Sequence, residues 1–417
     1  MGGLKHTRPK GTQDFIPPES ARLRQIETVA RSLCERYGFQ EIVTPVFEHT
    51  EVYVKSSGSG SDIVTKEMYS FKDRAGRDLT LRPEGTPGVV RAVLENYIRV
   101  PCRLYYIGPH FRYGRPQKGR YREFRQLGVE ALGEAHPMVD AELIRFGVVF
   151  FQELGITDCL TQLTSIGCRV CRPAYRDKLV MFLVGHQGEL CPDCRLRLER
   201  NPLRVFDCKV ETCRIAVADA PKPAEYLCPE CQRHHQAVMA ALRRWEVRFE
   251  VNDRLVRGLD YYNRTTFEYI STRLGAQDSL GGGGRYDYLV ADFGGPETPA
   301  VGLAIGLERT LLATPESSPA VRRKLVFVVW LAESELDAAV RVLDRLRAAG
   351  IPAQIDFDAR KPKHQFRSAD AAGAACCVIV GPDELARGSL SVKNLETGEQ
   401  LEVPQNTVVE QVRSFLR

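Results

Sequence analysis

Four arginines stand in short glycine-rich or β-rich contexts rather than on a charged helical surface. They are Arg82 in Leu81-Arg82-Pro83-Glu84-Gly85-Thr86, Arg112 after Gly108-Pro109-His110-Phe111, Arg257 at the head of Arg257-Gly258-Leu259-Asp260-Tyr261-Tyr262, and Arg309 at the end of Gly302–Arg309. A planar guanidinium offers two parallel donors, the geometry a phosphate accepts. Together the four outline a polyphosphate site, and the sequence holds no Walker-type Gly-Lys-Ser/Thr loop that could serve instead. Gly281-Gly282-Gly283-Gly284-Arg285-Tyr286-Asp287 lies between strand-like segments. Consecutive glycines there let a backbone approach a ligand where side chains would collide.

A second chemistry is written in sulfur. Of thirteen cysteines, eight fall between residues 165 and 245, at 168, 171, 191, 194, 208, 213, 228 and 231. Cys168/Cys171, Cys191/Cys194 and Cys228/Cys231 each stand three apart, and Cys208/Cys213 is a looser fourth pair. Random placement would give fewer than one such close pair. In a chain without an export signal the thiols are expected to be reduced, so metal ligation comes to mind before disulfides. The spacing predicts structural zinc in a region with little apolar core of its own, with no catalytic role for the metal. A set of reduced, partly buried thiols is the alternative. The same stretch carries fourteen lysines and arginines against nine acids, which accounts for the whole chain's net charge of +5. Basic character concentrated in this way suits a module that faces nucleic acid.

The elements that must hold these groups follow from length and patterning. A chain of 417 residues corresponds to two or three domains at roughly 150 residues each. With 43% hydrophobic and 27% charged residues it is neither disordered nor fibrous. Its longest apolar run, Leu325 to Ala332, falls far short of the roughly 18 residues a membrane span needs. The N-terminus lacks the apolar core of a signal peptide, so a soluble, cytoplasmic protein with no membrane partner is expected. Near the N-terminus, Leu23, Ile26, Val29, Leu33 and Tyr37 recur at helical spacing, with Ser20 as the expected N-cap and Gly38 as the stop. Glu41–Thr44 reads as a strand closed by Pro45. Thr314–Pro319 reads as a linker. Beyond it, strands at Leu325–Leu331, Ile351–Phe357 and Cys376–Val380 alternate with helices at Glu335–Ala349 and His364–Ala372, a small parallel or mixed α/β domain.

Several stretches taken together carry a resemblance. Phe39–Pro45, Phe111-Arg112 with Arg120–Glu130, and Gly302–Arg309 resemble motifs 1, 2 and 3 of the class II aminoacyl-tRNA synthetases. Pro9–Phe15, Leu81–Thr86, Arg115–Phe124, Arg257–Tyr262 and Gly282–Asp287 narrow the likeness to the histidyl-tRNA synthetase family. The resemblance implies an α+β catalytic domain on a six-stranded-type antiparallel class II sheet, formed by residues 1–164 and 246–318. It further implies a Cys-rich basic insertion at 165–245 that approaches the acceptor end of the tRNA, and a C-terminal α/β anticodon-binding domain at 321–417.

The activity implied is ATP-dependent ligation of L-histidine to tRNA(His) through histidyl-adenylate, in a homodimer built through motif 1, with Mg²⁺ accompanying ATP. By that resemblance Arg112, Arg120 and Arg309 bind ATP, while Arg112 and Arg257 act on the α-phosphate. Arg257 stands where many class II relatives use a metal ion. Glu84, Thr86 and Gln126 match the groups around the substrate's α-amino end. Glu130 and Tyr262 match those that read the imidazole, with Tyr261 and Tyr286 lining the pocket. An acid and a phenol can satisfy both ring nitrogens, one accepting and one donating. Arg195, Arg197 and Arg200 are the insertion's expected phosphate contacts. The competing reading is a synthetase-like regulatory subunit of ATP phosphoribosyltransferase, which usually lacks the terminal domain and the equivalent of Arg257. Both are present here.

Overall fold

Alternation along two long strands decides what the central sheet can do. In Glu123–Leu132, the side chains of Leu127, Val129 and Ala131 are fully buried against Ile144, Phe146, Phe150 and Phe151 of the helix Pro137–Glu153. Because successive strand residues point to opposite faces, the same strand turns Phe124, Gln126 and Glu130 the other way. Its partner Cys102–Phe111 runs antiparallel to it, with Leu104 opposite Glu130 and Gly108 opposite Gln126.

The computed structural model describes residues 6–57, 63–275, 278–315, 324–358 and 361–416. Six antiparallel strands make the centre of the main sheet, in the order Cys102–Phe111, Glu123–Leu132, Ala300–Gly306, Ser279–Arg285, Asn263–Ile270, Leu160–Ser165. A short parallel strand closes each edge, Gln40–Glu41 on one side and Phe249–Val251 on the other. The expected six-stranded sheet is therefore present inside an eight-stranded one. A separate three-stranded sheet, Phe47–His49, Asp78–Leu81 and Tyr69–Lys72, carries the chain to the Pro83–Thr86 turn.

The first helix runs Glu19–Arg36 and buries Leu23, Ile26, Ala30 and Leu33 along one face. Ser20 is not its N-cap. The chain enters from Pro18, whose backbone is already helical, and no side chain caps the turn. Gly38 supplies the expected stop with φ +75°, a conformation that costs glycine little.

The insertion folds as helices Arg172–Gly185, Pro192–Arg200, Glu211–Ala216 and Pro229–Arg244. It has more apolar core than expected: Tyr175, Leu179, Leu183, Leu198, Leu203 and Val205 are buried together. Its last helix belongs physically to the main body, because Val238, Ala241 and Leu242 enter the same core as Phe146 and Phe150.

The chain divides into two compact units, 1–320 and 321–417. The second is a five-stranded mixed sheet in the order Ala353–Ile355, Leu325–Trp330, Ala374–Val380, Ser389–Asn394, Gln400–Pro404. The first three strands are parallel and the last two antiparallel. Helix Leu336–Ala348 packs Ala339, Val342, Leu343 and Leu346 onto it. Of the Thr314–Pro319 linker, residues 316–319 lie outside the described residues. Among those described, no helix is long and apolar enough to cross a membrane.

Candidate active site and cysteine clusters

The polar face of the main sheet opens into a cavity of about 370 Å³. Glu84, Thr86, Arg112, Arg120, Gln126, Arg257, Tyr261, Tyr262, Tyr286 and Arg309 all line it, although they come from positions as far apart as 84 and 309. Small residues on the neighbouring strand make the room. Gly302 lies opposite Glu130, Ala304 opposite Gly128, and Gly306 opposite Gln126. A Cβ on Gly302 would land on Glu130 Oε2. In the glycine strand, a Cβ on Gly282 would collide with the Phe267 carbonyl oxygen and press on Arg257.

One end of the cavity is cationic. Arg309 donates to the carbonyls of Gly119 (2.9 Å) and Ser279 (2.7 Å). Burial, and after it the like charges of Arg120 and Arg112, hold its pKa below the ordinary arginine value. Arg112 donates to the Pro83 carbonyl at 2.8 Å and lies over the Phe124 ring at 5.5 Å. Arg120 pairs with Glu67 at 2.8 Å. Arg257 is ion-paired with Glu268, which also accepts from Ser279 Oγ at 2.6 Å. Burial works against the Arg257 charge, but Glu268, followed by Tyr262, outweighs it and keeps its pKa above the ordinary value. Guanidinium groups crowded closely enough to depress Arg309 favour a polyanion that relieves the repulsion.

The other end is lined by phenols and acids. Tyr261 OH donates to Glu84 Oε2 at 2.6 Å, and Tyr286 OH donates to Glu130 Oε2 at 2.6 Å. Thr86 Oγ1 donates to the other Glu130 oxygen, also at 2.6 Å. Glu130 is fully buried behind these two partners and does not itself face the cavity. Burial pushes its carboxyl up to about 8, only partly offset by the bonds from Thr86 and Tyr286. Burial, with the acids next to them, likewise keeps Tyr261 and Tyr286 protonated. Gln126 Oε1 is buried on the cavity wall with no hydrogen-bond partner in the described structure, a polar atom placed for a ligand.

Arg82 is not part of this site. Its guanidinium is buried and donates to the carbonyls of Pro109 (2.7 Å) and Thr44 (3.0 Å), tying the small sheet to the large one. Sequence reading also missed Glu268, Glu308, Tyr106 and Tyr121, which line the cavity. Glu308 accepts from the Arg125 backbone N–H at 2.8 Å and is pushed up to about 7 by burial. The signal for Glu308 lay beside Arg309, within the same motif.

The eight insertion cysteines gather into two groups of four. Cys168, Cys171, Cys228 and Cys231 form one, and Cys191, Cys194, Cys208 and Cys213 the other, with the sulfurs of each within 4.8 Å of one another. The groups are nested along the chain, the first and last pairs enclosing the middle two. All eight are free thiols. Burial would raise the Cys168 thiol, but backbone bonds from Cys171 and Val170 and the neighbouring thiols bring it down to about 7. Arg195, expected on a nucleic-acid face, instead donates to the carbonyls of Leu190 (3.0 Å) and Gly188 (3.3 Å). Arg197 and Arg200 line a groove with Lys66 and Arg204.

A family model described as "Histidyl-tRNA synthetase" matches residues 11–169 and 209–310, and one described as "Anticodon binding domain" matches 325–415. The unmatched gap, 170–208, holds four of the eight clustered cysteines. A protein of Moorella thermoacetica named Histidine--tRNA ligase is 47% identical, covering 98% of both chains. One of the same name from Desulforudis audaxviator is 48% identical, covering 99% of both. The crystal structure of apo histidyl-tRNA synthetase from S. aureus superposes with a TM-score of 0.82 at 33% identity, over 99% of this chain and 100% of the other. A sheet that brings ten separated side chains into one cavity, two matching domain models and end-to-end identity near one half agree: the chain belongs to the histidyl-tRNA synthetase family.

Proposed function

We propose that this chain ligates L-histidine to tRNA(His), with ATP and its accompanying Mg²⁺ as co-substrate. The observation that carries this reading is the division of one cavity into a crowded cationic end and a phenol-and-acid end. Arg112, Arg120 and Arg309 would hold the triphosphate, with Arg257 reaching the α-phosphate from the other side. The histidine carboxylate attacks the α-phosphorus and pyrophosphate leaves, giving histidyl-adenylate. In-line attack of this kind needs fixed positive charge more than covalent help. The terminal adenosine of tRNA(His) then takes the histidyl group and AMP departs.

Glu84, Thr86 and Gln126 suit the ammonium end of histidine. Tyr262 and Glu130 read the ring, Glu130 acting through the Tyr286 hydroxyl and Thr86 that it holds. An amino acid lacking the paired ring nitrogens would leave such buried groups unpaired, at about 1–3 kcal/mol each. The second unit would bind the anticodon. A homodimer through Phe39–Pro45 is supported by the apolar surface at and just beyond that segment, where Val43 is 85% exposed and Phe47 50%, as it would be before a partner covers it. The insertion's metal, on this reading structural zinc, has no step in the reaction. Cytoplasmic location goes with this role.

The test is ATP–pyrophosphate exchange with each of the twenty amino acids in the absence of tRNA. Exchange with histidine alone supports the assignment. Tight histidine binding without exchange would instead favour the regulatory-subunit reading, which the presence of Arg257 in the cavity and of the second unit weighs against.

A further inference from the structure

We propose that the insertion holds two zinc ions in separate all-cysteine sites, and that the outer one, on Cys168, Cys171, Cys228 and Cys231, positions the wall of the histidine pocket. The positional half rests on the synthetase reading, whereas the metal half stands without it.

Geometry argues for the metal. A zinc–thiolate bond of about 2.3 Å in a tetrahedron places neighbouring sulfurs about 3.8 Å apart. The sulfurs of Cys168 and Cys171 are 3.7 Å apart, those of Cys168 and Cys228 3.9 Å, and those of Cys171 and Cys231 3.8 Å. In the inner group, Cys191 and Cys208 are 3.9 Å apart. These are spacings for a shared ion, well beyond the roughly 2.05 Å of a disulfide. Four soft thiols with no carboxylate or imidazole among them suit zinc.

The surroundings suit thiolates. Cys191-Pro192-Asp193-Cys194 and Cys228-Pro229-Glu230-Cys231 each open a helix, with one sulfur at the N-cap and the other within the first turn. The positive end of the helix dipole favours the deprotonated sulfur there, working against the burial that pushes the Cys194 and Cys231 thiols up. Backbone N–H groups add to this: Cys168 donates to Cys171 Sγ at 3.2 Å, and Cys191 donates to Cys213 Sγ at 3.1 Å. Each site takes one Zn²⁺ and sheds four thiol protons to solvent, leaving a local charge of −2. At the outer site, Arg169 and Arg172 adjoin the ligands in sequence, and Arg264 lies close enough to feel the charge of Cys231.

The outer site is wired to the pocket. Arg172, directly after Cys171, donates to the Tyr262 carbonyl at 3.1 Å. The Arg264 backbone N–H donates to Gly167, directly before Cys168, at 2.8 Å, and the Arg264 side chain pairs with Glu230, between Cys228 and Cys231. The ion therefore fixes two chain segments that grip residues 262 and 264. The inner site fixes the helix Pro192–Arg200 and the turn after it, and its hold on the pocket is a side-chain bond from Asn201 to Asp260 at 2.7 Å.

The experiment is elemental analysis of the full-length protein after exhaustive dialysis, with Co²⁺ substitution to read thiolate charge-transfer bands. Two zinc ions per chain are expected, one in C168S/C228S, one in C191S/C208S and none in the quadruple variant. No zinc with eight titratable thiols, iron in its place, or a single ion in the parent chain overturns the metal assignment. In pyrophosphate exchange, C168S/C228S should raise the histidine KM by about tenfold, as small misplacements of a pocket wall do, whereas C191S/C208S, which loosens the Asn201–Asp260 bond, should raise it clearly less. Equal effects overturn the positional half. Should C168S/C228S not fold, Arg172→Ala tests that half with all eight sulfurs in place: two zinc ions retained and the histidine KM raised. Absent exchange in a parent chain carrying two zinc ions would sink the synthetase reading and leave the metal sites standing.

Discussion

The pocket and the insertion solve the same problem, holding polar or soft groups in fixed places, by opposite means. In the pocket, side chains far apart in sequence are set by strand register: Gln126 faces Gly306 and Glu130 faces Gly302 because the ladder allows nothing else. In the insertion, short cysteine spacings at helix starts add to the order supplied by the apolar cluster around Leu179 and Leu183. Precision in the first is a property of the whole sheet, so it survives local change. In the second, the cysteine groups concentrate it in a few atoms, so local change there reaches further.

The sharpest test of that contrast lies where the regions meet. Asp140 accepts from Arg285, at the end of the glycine strand, and from His234 on the insertion's last helix at 3.1 Å. Its burial penalty is more than offset by His234 and Arg285, which hold it down to about 2. Asp140→Asn would leave the buried Arg285 charge with Asp287, at 3.0 Å, as its remaining carboxylate partner and cost about 3 kcal/mol, read as a lower midpoint in urea denaturation. A loss under about 1 kcal/mol would mean that the two regions are held together elsewhere. Because the folded pKa of Asp140 is lowered, its contribution is present above the ordinary carboxylate range and disappears as pH falls towards 2.

Next in size is Arg257→Ala, which should slow histidine-dependent pyrophosphate exchange by about 10²- to 10³-fold while the circular dichroism spectrum stays unchanged. Collapse of the fold would show that the sheet does depend on its pocket groups.

Glu130 gives a pH test with the opposite sign to Asp140. Its folded pKa, about 8, is raised from the ordinary carboxylate value by burial. Its stabilising effect is therefore complete in acid and is lost as pH rises through about 8. Glu130→Gln should flatten the fall in Tm between pH 5 and 8.5, conditions chosen to bracket that titration. An unaltered slope would place the titration on another group.

The smallest effect is expected in the groove of Arg197, Arg200, Lys66 and Arg204. Neutralising Arg195, Arg197 and Arg200 together should raise the KM for tRNA by severalfold and weaken its salt dependence, with pyrophosphate exchange spared. Arg195→Ala alone should show a stability change and no tRNA effect, because its guanidinium holds the Leu190 and Gly188 carbonyls.

Much of the pocket was legible because its motifs pair unusual residue types, an arginine beside glycines or an acid beside a phenol, and register then brings them together. Arg82 misled for the same reason: its glycine-rich context matches the pocket arginines, and only the three-dimensional placement of Thr44 and Pro109 shows it to be a strut. Ser20 misled because capping depends on where the backbone turns helical, and Pro18 had already done that. The cysteine pairs could be read locally, but which pair joins which is a long-range fact, and spacing alone does not reveal that the pairs nest.

That nesting has a consequence in chain entropy. The outer group joins residues 60 apart, and within that loop the inner group joins residues 22 apart. Closing the inner loop first shortens the outer one, which by the logarithmic cost of loop closure lowers the outer closure by only about 0.4 kcal/mol. With metal on both groups, either clip could close first, and the two would be close to independent steps in the assembly of one insertion.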